Sequence, residues 1–482
     1  MELAPEEKFI CTVCIGEKYL AAEIEREEQL VTCSYCEEEE IYGCSLPELT
    51  EYIETAFDQH YERQSENIPD DWPLERIKYE ADEWEPEGQQ VVYAIMDAAE
   101  ISEDAASDVQ SILEEKHYSR SSAEIGETSD FHEGSYYDLK SPDDSQWAEK
   151  WSNFEDSLKT KTRFFSRDAY KHLHSVFQHV EHLKTRDKQA VVKTIGPGLD
   201  MQSLYRARAF QSDAKLKTAL ESPDTELGPP LAMLARAGRM NANGISIFYG
   251  ASNAETALAE IRPPVGSKVI LAKFNLTRAL KVLDLSALSY SMAKGSIFDD
   301  KYAPLLSRIS FLRKLGQRMT RPIMPDDEHF EYLSTQAIAD FLASEMGFDG
   351  IIFPSAQSQN GLNVALLNHA CRVEKIAHPK GTTVAVSLVD WDEDSPTPNY
   401  DIDIAIPEPK EEPKRTAEKF LDFLPFEWKP EDPDQRENSL AVDTKSIEVA
   451  HISSVKINSE QFRASYREYR KSPGNPFGFS DD

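Results

Sequence analysis

The stretch GRMNANGISIFYGASNAETALAEIRPP, Gly238 to Pro264, decides how this chain is read. Gly238-Arg239 and Asn241 to Gly244 predict a turn, because Gly and Asn tolerate left-handed backbone angles. Ile245 to Tyr249 is a short apolar run with β-branched and aromatic residues, which predicts a strand. Ser252 with Glu255 has the capping-box pattern, and Ala254 to Ile261 predicts a helix that Pro263 and Pro264 stop. Such a turn–strand–helix unit sets Glu260 near a strand end and a cationic turn. That arrangement suits a site holding a phosphorylated ligand beside a carboxylate.

Working outward, LYRARAF at Leu204 to Phe210 predicts a strand with Arg206 and Arg208 alternating onto one face. Lys268 to Leu276, Ala279 to Leu283, Gly350 to Phe353 and Asn363 to Leu367 also predict strands, with Pro354-Ser355 in a turn. Ser334 is placed to cap a helix over Thr335 to Met346, which Gly347 ends. Residues 290–330 are expected to hold helix and loop. Thr382 to Val389 and Ser446 to Ile457 predict further strands that close the same sheet, with Pro- and acid-rich loops at 391–416 and 427–438 between them. The polar set in this region is Arg206, Arg208, Arg239, Tyr249, Glu260 and Ser355. Each alone has an ordinary role open to it: a surface ion pair, a core ring, a solvated helix residue.

The chain has 482 residues, enough for about three domains. Its net charge of −34 is concentrated at one end, since residues 1–150 carry 41 Asp/Glu against 10 Lys/Arg. That third repels phosphates and so disfavours nonspecific nucleic-acid binding. It can face a basic partner or serve solubility. No apolar run reaches the eighteen residues or so of a membrane span, and the N-terminus lacks the basic start and apolar core of a signal peptide. A cytoplasmic protein is expected.

Cys11-Thr-Val-Cys14 and Cys33-Ser-Tyr-Cys36 offer four thiolates for a tetrahedral zinc, in a segment too short to fold on its own core. Four thiolates fill the coordination shell, so the metal is expected to be structural. A redox dithiol is the competing reading. Cys44 and Cys371 are expected to be ordinary buried thiols. Ser45 with Glu48 begins a predicted helix running to about Arg63, and two more are expected near 89–100 and 103–116, separated by loop-like stretches at 64–88 and 117–146. Trp147, Trp151, Phe154 and Leu158 form one apolar helical stripe, and a second helix capped by Ser166 carries Leu173, Phe177 and Val180.

LYRARAF, the Gly238 to Pro264 stretch and FDGIIFPSAQSQNGLNVALL (Phe348 to Leu367), in this order and spacing, resemble the RES domain, named for an Arg, a Glu and a Ser. Met240 departs from the aromatic residue common after Gly-Arg, which is expected to loosen ring packing in the pocket. Upstream, Trp151-x-x-Phe154 and Arg163-Phe164-Phe165 look like the HEPN-type helical domain fused to some RES domains. Arg167 and His172 resemble the HEPN ribonuclease pair.

The resemblance implies an α+β chain with an ADP-ribosyltransferase-like RES domain. The expected division is a zinc-ribbon-like segment (1–45), a helical HEPN-like domain (46–185), a linker (186–200), the RES catalytic domain with acidic insertions (201–458) and a tail (459–482). It implies a toxin that cleaves NAD at the nicotinamide–ribose bond by hydrolysis or phosphorolysis, an antitoxin or regulatory partner, and homodimers in some relatives. Phage defence is a setting by analogy. Glu260 then stabilises the oxocarbenium-like ribose, Arg206 or Arg208 with Arg239 holds the pyrophosphate, Tyr249 lines the nicotinamide pocket, and Ser355 donates to a phosphate or orients the ribose. Transfer of ADP-ribose to a protein, an RNA-cleaving enzyme with an NAD-sensing domain, and a zinc-dependent binding module are the competing functions. If the acidic N-terminal part shields the site, a chain starting near residue 190 is expected to be more active.

Overall fold

The computed structural model describes residues 3–65, 86–118, 129–163, 166–392, 395–407, 434–456 and 459–466. Phe164 and Phe165 of the HEPN-like motif lie outside these, as do most of the 64–88 connector, part of the 117–146 loop, most of the stretch from 408 to 438, and the tail from 467.

Nine strands form the principal sheet: β1 (Val192–Ile195), β2 (Ser203–Phe210), β3 (Phe248–Ala251), β4 (Lys268–Leu276), β5 (Leu280–Asp284), β6 (Gly350–Pro354), β7 (Leu362–Leu366), β8 (Leu440–Val442) and β9 (Glu448–His451). Their order is β8-β4-β2-β3-β7-β6-β5-β1, with β9 also paired to β4. Only β5 and β6 run parallel among these pairs. β1 falls within the expected linker, so that stretch is an edge strand; of the two strands expected to close the sheet, β9 does so on β4, beside the unpredicted β8, whereas Thr383–Asp392 pairs with Ser395–Ala405, inside an expected loop, as a separate hairpin.

Alternation along each strand sends side chains to two faces. On one face Ile270, Ala272 and Phe274 of β4 meet Phe248, Val364 and Leu366 in a core covered by the helix Asp213–Glu221. On the other, Val269 and Leu271 join Ala207, Ala251 and Ala257. Farther along that second face, Leu283, Ile351 and Ala365 pack under the helices Leu285–Ser289, Tyr302–Thr320 and Glu328–Ser344. Two separate apolar clusters thus share one face, and a cleft lies between them. The Glu328–Ser344 helix begins well before Ser334, which is therefore an interior position and not its cap.

The N-terminal part divides differently from the expected segments. Described residues between 10 and 137 share one core, in which Ile10, Leu20 and Cys44 of the cysteine-bearing segment pack with Ile53, Phe57, Ile95 and Val109 from the helices Leu46–His60, Val91–Ala99 and Glu103–His117. The first helix carries the predicted capping box at Ser45 and Glu48. By contrast, the helices Ser145–Thr160 and Arg167–Phe177 bury Trp151, Phe154, Leu158, Leu173 and Phe177 against Met319, Ile338 and Phe341. The apolar stripe predicted from sequence is real, but it packs on the C-terminal helices. The cores meet near residue 140, neither at 45 nor at 185.

Candidate active site

β2 and β3 share a single ladder pair, Tyr205↔Ala251, whereas β2 runs eight pairs against β4. Where their pairing stops, a cavity of about 480 Å³ opens. Tyr205, Arg206, Ala207, Arg239, Tyr249, Glu260, Tyr332, Phe353 and Asn363 are among its lining residues. Small side chains at Ala207, Ala251 and Ala257 leave the room.

Glu260 ends the helix Ala254–Glu260. The cap of this helix is Asn253, whose side chain accepts from Thr256 N, while the expected cap Ser252 instead accepts Leu362 N through Oγ. The Glu260 carboxylate takes two hydrogen bonds on Oε1, from Ser355 Oγ at 2.5 Å and Asn363 Nδ2 at 2.7 Å. Ser355 Oγ itself accepts the backbone N–H groups of Gln357 and Ser358, each at 3.0 Å. The hydroxyl proton is thus committed to Glu260, whose carboxylate it anchors. Ser355 is also not among the residues lining the cavity. It supports the carboxylate from behind instead of meeting a ligand directly.

Arg206 stacks its guanidinium on Phe248, 4.7 Å from the ring centroid. Its Nη1 is buried with no hydrogen-bond partner among the described residues. Burial lowers its pKa to about 10, so it remains a cation at neutral pH. A buried guanidinium with an unused donor favours an anion beside it. Arg208 lies farther along β2, pairs with Glu226 at 2.9 Å and lines a separate depression with Phe210 and Lys215. Of the two candidates, Arg206 is the one among the cavity's lining residues, with its guanidinium on the Phe248 side of β2.

Arg239 donates through Nη1 to Met319 O at 2.5 Å and through Nη2 to Arg321 O at 2.9 Å, and lies over the Tyr332 ring. It therefore caps the C-terminus of the Tyr302–Thr320 helix, where a cation opposes the helix dipole, while also lining the cleft. The predicted Gly238–Gly244 turn is held by Asn241 Nδ2, which donates to the carbonyls of Arg236 and Ile245, each at 2.9 Å. Thr335 and Gln336 donate to the carbonyls of Arg239 and Gly238. Tyr249 Oη donates to Asn241 Oδ1 at 2.9 Å and accepts Met240 N at 3.1 Å. Burial pushes its pKa up to about 12, so it is a neutral aromatic wall and not a base. Met240 is 1% exposed in the helical core and does not line the cavity, so its departure from an aromatic residue falls outside the pocket.

Sequence reasoning missed Asn363 and Tyr332. Asn363 carried a signal, a lone amide inside the apolar strand LNVAL. Tyr332 had none, because its helix was expected to start later.

Away from the cleft, the four sulfurs of Cys11, Cys14, Cys33 and Cys36 lie within 4.8 Å of one another. The Cys11–Cys36 and Cys14–Cys33 separations are 3.6 and 3.8 Å. Tetrahedral ligands at a Zn–S distance of about 2.3 Å stand roughly 3.8 Å apart, so the set fits a tetrahedral ion. Cys44 and Cys371 are both buried, each in a different core. Arg167 is exposed, whereas His172 packs against the rings of Trp151 and Phe154, with Nε2 buried and unpartnered among the described residues. Five residues on a helix turn through about 500°, which puts the two on different faces. They form no common site.

An α+β domain with a cleft between two interior strands of its sheet, lined by Glu260, Arg206 and Arg239 among others, is the class that this geometry defines. The family model of the RES domain matches residues 203–389, so the chain carries a RES domain over that stretch. One chain of the crystal structure of the M. tuberculosis MbcT–MbcA toxin–antitoxin complex is similar at 13% identity and a TM-score of 0.22, over 41% of this chain and 84% of that one. No curated protein matches the sequence. No helix among the described residues is long and apolar enough to cross a membrane.

Proposed function

We propose that the cleft cleaves NAD at the bond between nicotinamide and ribose. The observation that carries this reading is Glu260, a carboxylate held by two donors in a cavity that Arg206 and Arg239 also line. In the step, the C1′–N bond breaks and its electron pair leaves with nicotinamide, which becomes neutral. Positive charge develops on C1′ and its ring oxygen, and the fixed carboxylate stabilises it. An oxygen of water or phosphate then bonds to C1′, and a proton is released to solvent. Arg206 and Arg239 hold the pyrophosphate, and Tyr249 and Tyr332 supply aromatic walls for the nicotinamide.

On the RES resemblance, such an enzyme is a toxin held in check by a protein antitoxin, and transfer of ADP-ribose to a protein is the neighbouring outcome of the same chemistry. Zinc on the four cysteines is structural in this reading. Nicotinamide release by purified protein, with and without phosphate, tests the proposal. Glu260→Ala should lower release by about 100-fold or more. Phosphate dependence would identify phosphorolysis. No release from folded protein, with NAD alone, phosphate or candidate protein acceptors, would overturn the reading.

A further inference from the structure

We infer that Asn363 is a positioning residue that, together with Ser355, pins one oxygen of Glu260 so that the other is presented to the substrate. This rests on the NAD-cleaving role of Glu260 proposed above.

Asn363 is 7% exposed and is followed by Val364, Ala365 and Leu366, all fully buried. A buried amide needs partners. Its strand position is fixed from both sides, since Asn363 pairs with Ala251 of β3 and with Phe353 of β6. From there Nδ2 donates to Glu260 Oε1 at 2.7 Å. An ionised carboxylate only accepts, so the amide must face it with its NH₂ group. Ser355 Oγ donates to the same Oε1. No group among the described residues donates to Oε2, and Glu260 lines the cavity. The two carboxylate oxygens are therefore unequal, one held by the protein and the other left for the ligand.

This asymmetry matters because the terminal torsion of a glutamate is broad, with no sharp rotamer of its own. Two donors from separate elements, a sheet strand and the turn after β6, fix the plane of the carboxylate where a free one would swing. A carboxylate already oriented before charge develops contributes to kcat more than to binding.

The test is steady-state NAD cleavage by Asn363→Ala and Asn363→Asp, alone and combined with Glu260→Ala. Melting curves establish that each variant folds. Asn363→Ala should lower kcat by about 10- to 100-fold with KM within about twofold, the scale of one hydrogen bond to a charged group. Asn363→Asp keeps the shape but sets a second carboxylate against Glu260, so it should lose more. In the Glu260→Ala background, Asn363→Ala should not change the residual rate further.

A raised KM with native kcat would make Asn363 a substrate contact and overturn the inference. So would native kcat in the folded aspartate variant, or an equal loss in both backgrounds. Failure of the NAD reading looks different: the native protein itself would release no nicotinamide.

Discussion

The chemistry rests on a few side chains whose neighbours decide their roles. Ser355 gives its proton to Glu260 and receives two backbone N–H groups, so Ser355→Ala should lower kcat by about 10-fold without abolishing turnover. Intact mass spectrometry of enzyme mixed with NAD should show no adduct at Ser355. Arg206→Ala should raise KM for NAD by about 10-fold or more, while Arg208→Ala, which breaks a pair with Glu226 outside the cleft, should leave KM within about twofold. His172 and His60 are held below their usual pKa, mainly by burial. Below about pH 6.5 the unfolded chain binds protons that the folded one refuses, so stability should fall as the pH drops through the ordinary histidine range. His172→Phe should flatten that slope in melting curves. At this scale the sequence exposed Arg206, Arg239, Tyr249 and Glu260, because charged and aromatic residues stand out among short apolar strands, Gly/Asn turns and a capped helix. Their hydrogen bonds stayed hidden, since Asn363 and Ser355 reach Glu260 across about a hundred residues of chain.

The turn, strand and helix around Glu260 were legible because Gly, Asn and Pro punctuate them. Boundaries shifted where two caps competed, as with Ser252 and Asn253. The Tyr302–Thr320 helix was less legible, because its apolar positions are spread over contacts with several partners and no N-cap side chain marks its start. Its far end is tied to the cleft by Arg239, which binds the carbonyls of Met319 and Arg321. Arg239→Lys keeps a charge but cannot span both carbonyls and still face the cavity. It should lower the melting temperature by a few degrees, the scale of about 1 kcal/mol, and weaken NAD binding as well. A loss of activity with an unchanged melting curve would separate the two roles of this arginine.

Across the whole molecule, no described residue before 205 is among those lining the cavity. The helices of residues 145–177 instead complete the core beneath its wall, with Glu155 paired to Arg318 and Lys159 to Glu331. A chain starting near residue 190 would lose Trp151, Phe154, Leu158, Leu173, Val176 and Phe177 from that core. It should be insoluble or unfolded, not hyperactive; a chain starting near 141 keeps them and should fold by circular dichroism. Metal analysis should find about one zinc per full-length chain, lost when Cys11 or Cys33 becomes serine. The Cys-x-x-Cys pairs were readable because chelation needs only spacing, whereas the core shared by described residues between 10 and 137 depends on contacts that no local pattern announces. The Tyr302–Thr320 helix joins the two halves. Just before it, Ile297 and Phe298 pack on the N-terminal core, and Tyr302 meets His60; along it, Ser307, Arg308 and Lys314 bond to Asp143, Gln178 and Asp144. Nineteen residues make a rod roughly 28 Å long. Gripped near one end by the cysteine-bearing half and at the other by Arg239, it is a single strut that ties the N-terminal core to the wall of the cleft.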